Sequence, residues 1–384
     1  MKFTAFLIAL LINGMFIITY YFGEVLSGYQ TILIVSSLFV ASIYNCFKNI
    51  KINIFNKTNL VLLAFFIFIF ISNFWSKSPV YGLFKTQGFL LTVIIPAFAI
   101  NILMKDNNLL NKVINVALIF SVIGSILLLY NNIENLFSGR TSIDGVNTIW
   151  ISRYIGVGFV ILYSRIRQYK TTLFNIFLII LLGISMIING SRGPILSLFL
   201  TIYIFELITF YHSKRKDRNF IYITLVTIII IISLFIFQEQ ISRFNIEFLK
   251  SDTNVSERIN NYNISLNAIK DKFFIGHGIG GFSYIFKNID DRIYPHNMIL
   301  EIFVELGLIG ISFLIYLIVH SFKVLNYKKE NKIIFSCFSI LIYYFINSMF
   351  SGDLFGNSSF FIVLIILNVY IDNKETKYKY CNYK

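Results

Sequence analysis

The chain is 384 residues long and 57% hydrophobic, with a mean hydropathy of +0.73 and a formal net charge of +14. Such an apolar excess excludes an ordinary soluble domain, so the chain has to be read as membrane spans. In a soluble chain the basic excess would suit nucleic acid, but its placement along this one argues against that partner.

A span needs about 20 mostly apolar residues, and about twelve such stretches follow one another. They run roughly 3–22, 28–47, 59–75, 83–104, 112–130, 149–166, 171–189, 194–211, 219–237, 297–321, 333–350 and 357–372. Only Lys2 precedes the first, and no small-residue cleavage site follows it, so it reads as a retained helix and not a signal peptide. Alternating sides from a cytoplasmic N-terminus puts most lysines and arginines in the inner loops and the C-terminal tail. Lys48 and Lys51, Arg165 and Arg167, Lys214-Arg215-Lys216, and Lys328-Lys329 all fall there. The short outer loops and their helix ends hold only Lys77, Lys85, Arg140, Arg153 and Arg192. Asymmetry of this kind sets orientation, and here it predicts both termini inside. Cys46, Cys337 and Cys381 show no paired spacing, which speaks against a disulfide or a metal site.

Three polar features fall on the predicted outer face. One is the loop 131–148, NNIENLFSGRTSIDGVNT, and another is the tight turn Asn189-Gly190-Ser191-Arg192-Gly193-Pro194. The third is an interruption of roughly 58 residues, Gln238 to Pro295, and a loop of that length is usually functional. Within it, Asn254-x-x-Glu257 is a capping box opening a helix over about 255–270. Val255, Ile259, Tyr262, Leu266 and Ile269 give that helix an apolar stripe, expected to lie on the membrane or over a cavity. Gly276-His277-Gly278-Ile279-Gly280-Gly281-Phe282 follows and reads as a flexible turn. It lacks the strand-turn-helix setting of a nucleotide fingerprint.

Two residues are the sharpest candidates for chemistry. Arg192 sits in a turn between two apolar helices, where it either snorkels to headgroups or binds a lipid-linked phosphate by paired hydrogen bonds. His296 stands at the lip of the next long span, either as an ordinary helix start or as a general base whose neutral form has a lone pair available. Arg140, Arg153 and Arg258 fall on the same side and run against the positive-inside bias, which favours anion binding by some of them. Glu301 and Glu305 lie one turn apart inside the span, where an ion pair with an arginine is expected. His277 reads as a plain loop residue. The chain has no D-x-D, H-E-x-x-H or P-loop, which argues against an aspartate-held metal and against ATP.

Three elements resemble the O-antigen ligase and O-antigen polymerase family. They are Ser191-Arg192-Gly193-Pro194, the segment GHGIGGF, and His296-Asn297 followed by nine residues and then Gly307-Leu308-Ile309-Gly310. The best match spans about 185–315, within a single transmembrane domain, 1–384, whose long loop is 238–295. The resemblance implies an all-α polytopic membrane protein of about 12 helices with a glycosyltransferase C-like fold. It also implies a metal-independent, inverting glycosyltransfer needing no cofactor, with an undecaprenyl-diphosphate-linked oligosaccharide as donor. By that likeness His296 is the catalytic base and Arg192 and Arg258 bind the diphosphate, with Arg153 and Arg140 as weaker matches. His277 stands where a smaller residue is more usual. The acceptor is a growing glycan in a polymerase of O-antigen or capsule, and lipid A core or protein in a ligase. Both would work in the bacterial inner membrane, with the active site facing outward.

A lipid-linked oligosaccharide flippase is the competing class. It would show charges along a central path and related halves. This chain instead gathers its unusual residues on one face, around one long loop, which favours the enzyme.

Overall fold

A computed structural model describes residues 2–48, 55–104, 107–133, 141–169, 172–212, 253–327 and 332–382. All regular structure among them is helical. The first half contains α1 (Lys2–Gly23), α2 (Gln30–Asn45), α3 (Lys57–Trp75) and α4 (Pro79–Leu103). It continues with α5 (Asn107–Asn131), α6 (Thr148–Gln168), α7 (Leu173–Asn189) and α8 (Arg192–His212). In the second half, α9 (Thr253–Asp271) and the short α10 (Gly281–Lys287) precede α11 (Met298–Phe322), α12 (Lys332–Ser348) and α13 (Ser358–Asn382).

Seven of these helices are long and apolar enough to cross a membrane. The stretches expected at 28–47, 171–189 and 333–350 form apolar helices too short for that criterion, and 357–372 lies within α13. The expected span 219–237 lies outside the described residues. The protein is an all-α, multi-pass membrane protein.

The central pillar is α13. Its first half is largely apolar all round, and every residue from Ser359 to Val369 is buried. Around it pack α1, α3, α4, α11 and α12, while α6 anchors a second group made of α5, α7, α8 and α12. A π-helical turn at Leu10–Gly14 interrupts α1. Two carbonyls within it serve the pillar's neighbourhood, Leu11 O accepting from Ser359 Oγ at 3.2 Å and Ile12 O from Tyr344 OH at 2.7 Å. In an apolar surround a carbonyl released from the helical ladder needs such a partner.

The bundle has two distinct polar ends. At one, Asp372 accepts from the Thr58 backbone N–H and hydroxyl and bonds His320 at 3.0 Å, and Glu375 pairs with Lys323. The other gathers the ends of α3, α7, α12, the starts of α4, α6, α8, α11, α13, and the whole of α9 and α10. Ser191 Oγ bonds Thr148 O, and Asn189 bonds Thr141 O, tying the α7–α8 turn to the start of α6. This second end carries the candidate site.

Candidate functional site

The site is organised by a broken helix. Within α11 the chain departs from helical geometry at Gly307, with φ 63° and ψ −161°, a region open essentially to glycine alone. The break forfeits the bonds that Leu308 and Ile309 would make to the carbonyls of Val304 and Glu305. The loop after α9 replaces both. Leu308 and Ile309 donate instead to Phe273 O at 2.8 Å and Phe274 O at 3.2 Å, while Val304 O and Glu305 O accept from His277 N and Gly278 N, each at 2.8 Å. Backbone meets backbone so closely that a Cβ on Gly276 would lie 2.4 Å from Glu305 O, and one on Gly307 2.4 Å from Phe274 O. GHGIGGF is therefore not the flexible turn expected from its composition. It is the patch that satisfies the broken helix.

The same loop and the start of α10 are sewn to the junction of α3 and α4. Ile279 N donates to Ser72 Oγ, Ser76 Oγ donates to Ile279 O, and the hydroxyls of Ser78 and Ser283 lie 2.8 Å apart. Immediately beyond α10, the arm from Asp290 to Asn297 is fixed in three places. The Asp290 carboxylate accepts from Val80 N and Tyr81 N at the N-terminus of α4, where a negative charge also suits the helix dipole. Arg292 is held by Asp353, through Nε at 3.1 Å and Nη2 at 3.3 Å. Asn297 caps α11, its side chain accepting from Ile299 N and Leu300 N.

His296 sits near the end of this pinned arm with a left-handed backbone, φ 59°. Few non-glycine residues adopt that conformation, and it persists only where the surroundings enforce it. Its ring is 4.6 Å from that of Tyr294, tilted by 56°, and its Nδ1 is buried without a hydrogen bond from the described residues. Burial holds the imidazole below its ordinary pKa, and the Arg258 guanidinium pushes the same way, against weaker opposition from Asp353 and Glu257. His296 is thus neutral at physiological pH, with a proton-accepting lone pair.

The candidate arginines fare differently. Arg258 projects from the first turns of α9 within electrostatic reach of His296. Arg192 is the first residue of α8, half-buried beside Gly193, where an added Cβ would lie 3.4 Å from Phe350 Cβ. Arg153 is 1% exposed and is used internally. Its Nη2 donates to Asn347 O at 2.8 Å and Ser351 O at 2.9 Å, and its guanidinium lies 4.6 Å over the Trp150 ring. With two carbonyls of one turn on its head group, Arg153 is a strut of the α12–α13 connection. Arg140 lies outside the described residues.

Glu301 and Glu305 do form an ion pair, but with Lys85 of α4 and not with an arginine. All three side chains are within 1% of complete burial, and Glu305 Oε2 lies 2.5 Å from Lys85 Nζ. A lysine at a predicted outer helix end thus reaches into the bundle between two carboxylates. The stripe on α9 also differs from expectation. Ile259 and Leu266 are exposed, while Ala268 and Ile269 pack with Phe282 and Val304, and Asn261 and Ser265 are buried as well. One face of α9 thus packs against α11 and the other faces outward.

Nothing in the sequence reading singled out the turn 347–357, yet the site converges on it. Arg153 donates to Asn347 O, Ser351 O and Asn357 Oδ1, Tyr262 of α9 donates to Met349 O at 3.4 Å, and Phe350 lies beside Gly193. At its centre Asp353, fully buried, accepts from Arg292, from Tyr81 OH at 2.9 Å and from Gly356 N at 2.7 Å. Burial alone would raise its pKa, but the Arg292 guanidinium and then Lys85 outweigh that and keep the carboxyl ionised. A carboxylate in a short polar turn between two apolar spans was the available signal.

A protein-family model described as O-antigen ligase matches residues 177–315, which include Arg192, Arg258, the glycine loop, His296 and Gly307. Comparisons with curated proteins and with solved structures returned no match. The chain carries an O-antigen ligase family domain at residues 177–315, set in an all-α polytopic membrane protein.

Proposed function

We propose that the protein is a membrane glycosyltransferase that polymerises undecaprenyl-diphosphate-linked oligosaccharide repeat units into surface polysaccharide. The observation that carries the reading is His296: a neutral imidazole in an enforced left-handed backbone, with the Arg258 guanidinium acting on it. The family domain supports a glycan-processing role, and the polar end of the bundle supplies a place for the reaction.

In the reaction, a sugar hydroxyl of the acceptor attacks the anomeric carbon of the donor as the bond to the diphosphate oxygen breaks, inverting that centre. His296 takes the hydroxyl proton. The leaving diphosphate gains negative charge, which Arg258 and Arg192 stabilise as fixed cations that need no reorganisation. The donor is already activated, so no nucleotide or metal is required. Arg153 is left out of the diphosphate set because its head group is bonded to Asn347 and Ser351. The site faces outward and both termini lie inside, as the distribution of lysine and arginine supports.

The test is glycan profiling by gel in a deletion strain complemented with wild type, Arg192→Ala or His296→Ala. Single repeat units on the lipid anchor or outer-membrane core in the mutants support the polymerase. Long chains retained on undecaprenyl diphosphate would instead mean a ligase acting on lipid A core or protein. A normal ladder from both mutants at normal expression would remove the catalytic assignment and favour a flippase.

A further inference from the structure

Arg292 and Asp353 make an ion pair with unequal exposure. The carboxylate is fully buried, whereas half of the arginine side chain is open to solvent. Both carboxylate oxygens are in use, one accepting from Arg292 Nε and Tyr81 OH, the other from Arg292 Nη2 and Gly356 N. The guanidinium is therefore held rigidly from behind, and its Nη1 has no hydrogen bond from the described residues. Two residues along the same arm, Tyr294 places its ring against His296. It also lies within electrostatic reach of Asp353 and Arg292.

The charge of such a pair is balanced, so it adds little attraction for a diphosphate. What it offers is a fixed N–H donor beside an aromatic ring. Those two features suit the hydroxyls and the apolar face of a sugar, and they stand next to the group read as the base. We propose that Arg292 and Tyr294 form the subsite for the acceptor sugar, with Asp353 as the positioning residue that aims Arg292. This rests on the transferase reading and adds which substrate the arm contacts. Arg192 and Arg258 serve the donor, and Arg292 serves the hydroxyl-bearing acceptor.

The test uses the full chain in lipid nanodiscs, with an undecaprenyl-diphosphate-linked oligosaccharide as donor. The acceptor is the same repeat unit on a short alkyl anchor that lacks the diphosphate. Arg292→Gln is expected to raise the acceptor KM about tenfold to a hundredfold, the loss of one charge-assisted hydrogen bond. Donor affinity should stay within about twofold of wild type. Asp353→Asn, whose amide oxygen still accepts from Tyr81, should shift the acceptor KM in the same direction, and Arg292→Lys should recover only part of the loss. Arg192→Gln should show the opposite split, with donor affinity lost. If Arg292→Gln weakens the donor as Arg192→Gln does, or lowers thermal stability while leaving the acceptor KM unchanged, the subsite is refuted and the pair is only a loop clamp. Failure of the wild-type protein to transfer to any acceptor would overturn the transferase reading itself, before any substitution is compared.

Discussion

Replacing Lys85 with methionine isolates a fully buried charge. Among the described residues Lys85 is the only side chain that bonds Glu301 and Glu305, and one oxygen on each carboxylate, Glu301 Oε2 and Glu305 Oε1, has no hydrogen-bond partner there. Methionine fills much of the lysine stem's volume but leaves two acids facing each other, one turn apart, with no cation. Removing one partner of a buried pair costs about 3–5 kcal/mol. In a chain of this size that corresponds to a fall in melting temperature of about 4–6 °C. Fluorescence-detected size-exclusion chromatography after heating, in mild detergent, measures it directly. Because the cost comes from uncompensated charge, Lys85→Met combined with Glu301→Gln and Glu305→Gln should recover most of the loss. A single mutant as stable as wild type, or a triple mutant no better than the single, would refute the argument.

Three further outcomes follow from the geometry. Gly307→Ala puts a Cβ 2.4 Å from Phe274 O in a backbone region that excludes side chains, so it should destabilise the protein by about 1–3 kcal/mol or more and lower the yield of folded protein in the same assay. Arg153→Met removes the charged donor that joins Asn347 O and Ser351 O, leaving them only Phe350 N and Asn357 Nδ2, and it should lower the melting temperature while the folded fraction keeps wild-type donor affinity. For His296, neutral imidazole is the active form, so transfer should rise with pH and level off below the ordinary histidine range. Arg258 disfavours the imidazolium, so Arg258→Gln should move that limb to higher pH as well as slow the reaction, and a pH–rate profile reads both effects.

The helices were legible because apolar runs of span length need no tertiary information to be recognised. The turn signature at Arg192 and the spacing from His296 to Gly307 were also visible. What Gly307 does was not: the exchange of helix bonds for bonds to Phe273, Phe274, His277 and Gly278 joins segments about 30 residues apart, and no local pattern states it. The partner of Glu301 and Glu305 was missed for a similar reason. Lys85 read as one of a few outer lysines, and only the approach of α4 to α11 shows it buried. Arg153 and Arg292 were equally uninformative as sequence. One spends its donors inside the protein and the other keeps an edge open, a difference set by the turn 347–357 far along the chain. On α9 the apolar periodicity was correctly placed on a helix, but it could not say which rank of residues packs and which faces outward.

The most direct test of the central claim is a transfer reaction with purified protein in liposomes, supplied with an undecaprenyl-diphosphate-linked oligosaccharide and followed by product size and by release of undecaprenyl diphosphate. Wild type should give elongated product and stoichiometric release, and His296→Ala should lose both while binding the donor as before. Elongation by His296→Ala at the wild-type rate, or movement of the intact donor across the bilayer with no new glycosidic bond, would contradict the claim.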